Sequence, residues 1–233
     1  MTEFGQRQGR VRDAQRAREA ILDAAEVVFA QHGFDGARID AIVKASGYNT
    51  SLLFQYFRDK LGLYAEVIKR ADREMTTLLQ RAFAPLLEKD TIAENADAFK
   101  TLLETIVATL FDYLVEHPRF MHMLLWEQAA SWQTYSQIVS QFATADGDQF
   151  ELLFRKAYNA GQLRSDFVPL IQLSMILQIC LSYLTFVPLY QMVLPQDNIS
   201  SIESRARARH YLIHFVVAGM MTDSSTMKPE KGS

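Results

Sequence analysis

Residues 33–63, GFDGARIDAIVKASGYNTSLLFQYFRDKLGL, read as two short helices joined at a glycine. Ile39, Ile42 and Val43 recur at helical spacing, and Ser46-Gly47 breaks the pattern where glycine takes a positive φ without a Cβ penalty. Asn49 suits the N-cap of a second helix, in which Leu53 and Phe57 share one face while Ser51 and Gln55 project from the opposite one. In a helix-turn-helix the second helix enters the major groove with its N-terminal residues at base edges. That places Asn49, Thr50 and Ser51 near the edges and makes Gln55 the candidate base reader, since glutamine pairs bidentately with adenine. Arg58 and Lys60 follow, where positive charge meets phosphate oxygens and fixes register without reading sequence. The same spacing also fits an ordinary helical hairpin with a solvated polar face.

The pattern extends over the first quarter of the chain. Arg18, Ile21-Leu22, Ala24-Ala25, Phe29, Gly33-Phe34, Ile42, Gly47, Leu53, Tyr56-Phe57, Lys60 and Leu63 together resemble the DNA-binding domain of TetR-family transcriptional regulators. The resemblance implies a three-helix DNA-binding head, an all-helical ligand-sensing body, a homodimer, and usually repression relieved by a small molecule. Three positions depart from the family pattern. Phe54 stands where the family generally has a tyrosine whose hydroxyl contacts phosphate, which puts that contact in doubt. Ala37-Arg38 replaces the usual threonine or serine cap of the helix near Ile39, leaving Asp35 as a substitute cap and Arg38 as an alternative phosphate contact. Leu52 replaces a frequent threonine and either touches a thymine methyl or packs, packing being the preferred use.

The chain of 233 residues, 49% hydrophobic and 11% aromatic, has a globular composition and can bury a substantial core. A formal net charge of -3 does not announce a nucleic-acid binder, so attraction to DNA must come from local clustering. Arg7, Arg10, Arg12, Arg16 and Arg18 face only Glu3 and Asp13, giving a basic arm that either follows phosphates or the minor groove, or is a solvated tail. The single cysteine, Cys180, lies in an apolar segment and reads as a packing residue. With no signal-like N-terminal run, the expected compartment is the cytoplasm.

Apolar stripes mark the remaining helices. Ile21 through Phe29 serve a first helix over about residues 16–32, and Leu63 through Leu87 a linking helix that would act as a lever into the body. Phe99 to Leu114 form the next stripe, with Glu104 and Asp112 on its solvated side. His117-Pro118 ends it, because proline disfavours helix in the residue before it and suits the first turn of the next. A further helix is expected to run from about Tyr135 to a cap at Asn159-Ala160-Gly161. Phe167 to Gln196 lacks any charge and is longer than the roughly 20 residues that cross a bilayer. Its glutamines and serines, Pro169 and Pro188, and the absence of flanking basic residues before Arg205 instead favour a helix buried between subunits. With the stripe from Ile202 to Met220 it would build a four-helix bundle across a two-fold axis.

The expected architecture is all-α. It comprises an arm and helix-turn-helix head over 1–60, a helical ligand-binding and dimerisation body over 61–222, and a flexible tail over 223–233. DNA contacts are assigned to Arg38, Asn49, Thr50, Ser51, Leu52, Phe54, Gln55, Arg58 and Lys60. A mostly apolar cavity is assigned to Phe99, Leu103, Ile106, Leu110, Met121, Trp126, Trp132, Phe150, Leu177 and Tyr183. Tyr113, His117 and Gln178 add polar groups to it. His210 and His214 have metal-compatible spacing but no further ligand in motif, so no metal, cofactor or catalytic step is expected. The resulting reading is a homodimeric repressor released from a pseudo-palindromic operator by a hydrophobic small molecule. An activator or corepressor-dependent regulator of the same fold, a membrane-anchored helical protein, and a small-molecule-binding enzyme whose head has lost DNA binding are the alternatives.

Overall fold

The computed structural model describes residues 3–87, 95–141, 145–164 and 168–222, with side chains described over 12–82, 95–140, 151–164, 168 and 171–222. Its elements are α1 (Glu3–Gly36), α2 (Ile39–Ser46), α3 (Thr50–Phe57), α4 (Lys60–Leu87), α5 (Ala96–Glu116), α6 (Pro118–Ala129), α7 (Gln133–Ile138), α8 (Ala145–Asn159), α9 (Pro169–Val193) and α10 (Ile202–Met220). Helices carry the architecture of the described residues, with one isolated antiparallel bridge between Leu163 and Met221. The tail after Thr222 lies outside the described residues.

Packing divides the chain into two compact units, residues 1–74 with 117–143, and residues 75–116 with 144–233. The first unit therefore holds α1 to α3, the start of α4, and also α6 and α7, which sequence alone had assigned to the body. Its core joins Ile21, Leu22, Ala25 and Phe29 of α1 to Ile42, Leu53, Phe57, Leu63 and Tyr64. Phe29 meets the Tyr64 ring edge-on at 4.9 Å, and Phe34 does so at 5.2 Å. Such pairs contribute directional stabilisation beyond the apolar area they bury.

Where a basic arm was expected, α1 is already helical from Glu3, so the arginine segment continues the first helix. The side chains of Arg7 and Arg10 lie outside the described residues, whereas Arg12 and Arg16 are exposed. Arg18 is not part of a free basic surface. Its guanidinium pairs with Glu66 and lies over the Phe57 ring at 5.3 Å, tying α1 to α4 and to the end of α3. Arg70 similarly reaches Asp23 at 2.6 Å and pairs with Glu26.

At Gly33 the chain leaves helical geometry with φ 67° and ψ −177°, a region open essentially to glycine alone. A Cβ there would stand 3.0 Å from Trp126 Cδ2, because the α6 indole lies directly over this corner. The indole N–H donates to the Ala30 carbonyl at 3.2 Å. Beneath it, Glu127 is buried but satisfied: Tyr64 Oη donates to Oε1 at 2.6 Å, and the Tyr135 amide donates to Oε2 at 3.0 Å. Burial, with the Glu127 hydrogen bond and charge behind it, pushes the Tyr64 phenol well above its ordinary pKa.

In the second unit α5 packs against both α9 and α10, and α8 packs against α9. Phe99, Leu102, Leu103, Ile106 and Leu114 form its buried centre, and Phe99 meets Phe154 edge-on at 5.6 Å. Asp112 is not merely solvated as expected: Arg209 donates to it through two bonds of 2.8 Å each, clamping α10 to α5. Glu104 keeps a loose pairing with Lys100 at 3.9 Å. The helix expected over 135–159 is interrupted. Residues 133–138 form α7, Val139–Gln141 a 3₁₀ turn, and α8 begins only at Ala145. Breaks after Glu116 and at Asn159 fall where expected, the latter with Gly161 at φ 74°. Cys180 is fully buried, and burial pushes its thiol up to about 12, in keeping with packing and not reactivity.

Candidate nucleic-acid interface

The α2–α3 corner is built by local chemistry. Gly47 ends α2 in the left-handed region, φ 75°, and its N–H closes on the Val43 carbonyl at 3.1 Å. Ser46 Oγ donates to the same carbonyl at 3.1 Å. The chain then enters α3 through Asn49, whose side chain accepts the Leu52 amide at 2.8 Å. A cap of this kind contributes about 1 kcal/mol to a helix this short. Leu53 and Phe57 turn inward and are buried, so the outward face of α3 is fixed as Ser51, Phe54 and Gln55, all exposed, with exposed Arg58 following at the C-cap.

At the far end Arg58 takes φ 66°, unusual for a non-glycine residue, while its N–H closes on the Phe54 carbonyl at 2.9 Å. Asp59 Oδ1 then accepts the Gly62 amide at 2.7 Å and starts α4. Turn and cap between them hold α3 in one orientation.

The assigned contact residues divide into three groups. Thr50, Ser51, Phe54 and Gln55 are exposed on α3, Arg58 is exposed at its C-cap, and Arg38 is exposed at the start of α2. Asn49 is exposed too but is committed to the cap, and Leu52 is half-buried, in line with packing. Lys60 has internal partners: its Nζ lies 4.7 Å from the Phe34 ring centroid and donates to the Asp35 carbonyl at 3.3 Å. Desolvation lowers its pKa, with Asp35 opposing. Asp35 does not cap α2; residue 38 fills the N-cap position without any side-chain bond, because the chain from Gly33 turns Ala37 into the core instead. A cation not singled out from sequence is Lys44, exposed in the last turn of α2; its signal is a lone lysine facing away from Ile39 and Ile42.

The residues assigned to the ligand cavity do not share one compact unit. Phe99, Leu103, Ile106, Leu110 and Tyr113 are buried in the second unit, where Tyr183 and Leu177 are half-buried and Gln178 is exposed. His117, Met121, Trp126 and Trp132 belong to the first unit. Trp126 is spent on the Gly33 corner, and Trp132, at φ 60°, packs against Tyr135 at 5.8 Å. The Phe150 side chain lies outside the described residues. Two grooves run between α9 and α10. One of about 260 Å³ is bordered by Met175, Ile176, Phe215 and Val216. The other, about 630 Å³, is bordered by Tyr183, Tyr190, Arg207 and Tyr211.

Around these grooves α9 and α10 expose apolar side chains: Met192 is 78% exposed, Tyr211 67% and Phe215 54%. Val216, by contrast, is 4% exposed and faces the interior, so the exposed edge of α10 is carried by its neighbours in sequence. Ile171–Val193 is also long and apolar enough to cross a membrane by length and composition. His210 and His214 sit ring to ring at 4.3 Å, both exposed, and among the described residues no three metal-ligating side chains come together.

Comparison with known proteins bears directly on this arrangement. Residues 21–67 match the family described as bacterial regulatory proteins, tetR family, and residues 100–216, about half of the chain, match the tetracyclin repressor-like C-terminal domain. The HTH-type transcriptional repressor SCO4008 of Streptomyces coelicolor is 30% identical over 116 residues, 50% of this chain and 52% of that protein. The HTH-type transcriptional repressor NicS of Pseudomonas putida is 33% identical over 118 residues, 51% of each. The chain thus spans about half the length of the curated relatives it matches. The crystal structure of SCO4942 from Streptomyces coelicolor superposes with a TM-score of 0.59 at 25% identity, covering 88% of this chain and 98% of that one. With α3 capped by Asn49 behind the left-handed Gly47 turn, and with both family domains matched along it, the chain belongs to the tetR family of bacterial regulatory proteins.

Proposed function

We propose that the protein is a homodimeric transcriptional repressor that binds a pseudo-palindromic operator through α2 and α3 and is released by a hydrophobic small molecule. The observation that carries this reading is the outward face of α3, where Ser51 and Gln55 are exposed on a helix capped by Asn49 and followed at its C-cap by exposed Arg58. Gln55 reads adenine, Arg58 and Arg38 meet phosphates, and Lys60 acts by seating the end of α1 against the start of α4. The protein acts by binding and not by catalysis, with duplex DNA, the effector and a second copy as partners, in the cytoplasm.

The exposed apolar edge of α9 and α10 supports the second copy, since isolated subunits rarely leave so many large side chains to water. This edge, with Gln178 and Ser182 on α9, fits a helical bundle better than a bilayer span. The effector is assigned to the second unit, whose interior is apolar and aromatic, with Phe99 packed on Phe154 and Phe111 on Tyr183. Two reading helices engage successive major grooves only about 34–36 Å apart, so an effector that favours another separation weakens both half-sites together.

Pull-down of genomic fragments with the full-length protein tests the reading, followed by challenge of the bound fragments with hydrophobic and with polyanionic compounds. Enrichment of a pseudo-palindrome that hydrophobic compounds release is expected. Enrichment of no common sequence would remove the operator reading, and release only by polyanions would remove the effector assignment.

A further inference from the structure

Phe54 is the one large apolar side chain on the reading face. It is 40% exposed, next to Gln55 and one turn from Ser51 on the same helix, while the other aromatics of this segment, Tyr56 and Phe57, are half-buried and buried. Its exposure follows from the register of the helix. With Leu53 and Phe57 held in the core and Asn49 fixing the first turn, residue 54 has nowhere to go but outward.

A phenyl ring offers neither donor nor acceptor, so it cannot bond a phosphate oxygen or the polar edge of a base. In the major groove the one apolar group that distinguishes base pairs is the C5-methyl of thymine. We propose that Phe54 is a specificity-determining residue of the operator contact, packing against a thymine methyl beside the adenine read by Gln55. The pair would give each half-site a preference for adjacent A·T pairs, one read through hydrogen bonds and the other through methyl burial. Arg58, exposed at the C-cap just past the helix, fixes the register of both by holding phosphate.

This inference rests on the DNA-binding reading above, and the test separates the two. The full-length protein selects duplexes from a random-sequence pool, and each thymine of the selected half-site is then replaced singly by deoxyuridine, which deletes only the methyl. One thymine per half-site should be sensitive, with binding weakened about fourfold, the value of one buried methyl-sized group. Phe54→Ala should bind the thymine and uracil duplexes equally while melting at the same temperature as the parent, since the ring is not part of the core. Phe54→Leu should keep part of the discrimination. The proposal is overturned if no thymine is sensitive, if Phe54→Ala retains the discrimination, or if Phe54→Tyr tightens all duplexes equally, which would place the residue at the backbone. Failure of the parent to select any duplex would instead overturn the DNA-binding reading itself and this inference with it.

Discussion

Gly33 and Gly47 both adopt positive φ, 67° and 75°, yet replacing each with alanine should have different consequences. At Gly47 a Cβ meets nothing within 4 Å, so Gly47→Ala incurs only the left-handed backbone term, about 1–2 kcal/mol. At Gly33 the backbone, with ψ −177°, lies in a region that is harder still for an L-residue, about 1–3 kcal/mol. The new methyl would also meet three indole carbons of Trp126 at 3.0, 3.1 and 3.2 Å. Relief requires the ring to move off the bond it donates to Ala30, which adds about 1 kcal/mol. Gly33→Ala should therefore destabilise the first unit by about 2–4 kcal/mol, clearly more than Gly47→Ala. Urea denaturation of the single variants, and of Gly33→Ala in a Trp126→Ala background, measures both terms. In that background the penalty should shrink by about 1 kcal/mol, because the clash has gone and the backbone term remains. Equal costs at the two glycines, or an unchanged penalty without the indole, would refute the claim that α6 is seated on this corner.

Three further outcomes follow from particular side chains. Gln55→Ala should relax operator preference at one position by about 1–3 kcal/mol, whereas Arg58→Ala should weaken all sequences alike and reduce the salt slope by about one, both read by fluorescence anisotropy on permuted duplexes. Phe215→Glu should yield a folded monomer by light scattering, since its ring is 54% exposed, while Val216→Glu should unfold the second unit, since that side chain is buried. Tyr64 has a folded pKa raised above its unfolded value of about 10, so its contribution is complete below pH 10 and is lost as pH rises toward the folded value. Urea melts above pH 10 should show stability falling by about 1.4 kcal/mol per pH unit from this proton, a slope that Tyr64→Phe removes.

The parts of the protein readable from sequence are those governed by neighbours a few residues away. The glycine turn, the Asn49 cap and the inward pair Leu53 and Phe57 each follow from local spacing, and the structure contains all of them. The Pro118 start of α6 is of the same kind. What escaped were contacts made across long stretches of chain. Arg18 looks like part of a basic arm until Glu66, 48 residues later, comes beside it. Asp112 looks solvated until Arg209 arrives from α10. Trp126 looked like a cavity wall because its segment is aromatic, yet nothing local could show that Gly33, with no side chain, leaves the space its ring fills. Glu127 gave a usable signal, a single carboxylate between two tryptophans in an apolar segment, which implies a dedicated buried partner. Periodicity identified the apolar stripe of α10 but not which edge faces outward, because Val216 and Phe215 are adjacent and only tertiary packing decides between them.

The central claim, sequence-specific DNA binding by paired reading helices, is tested most directly by hydroxyl-radical footprinting of the full-length protein on its enriched genomic fragment, with stoichiometry measured on the same complex. Two protected half-sites related by a dyad, centred about one helical turn or a multiple apart, with two subunits bound and protection requiring more protein in Gln55→Ala, is the predicted result. Uniform protection without a dyad, unchanged in Gln55→Ala, would contradict it.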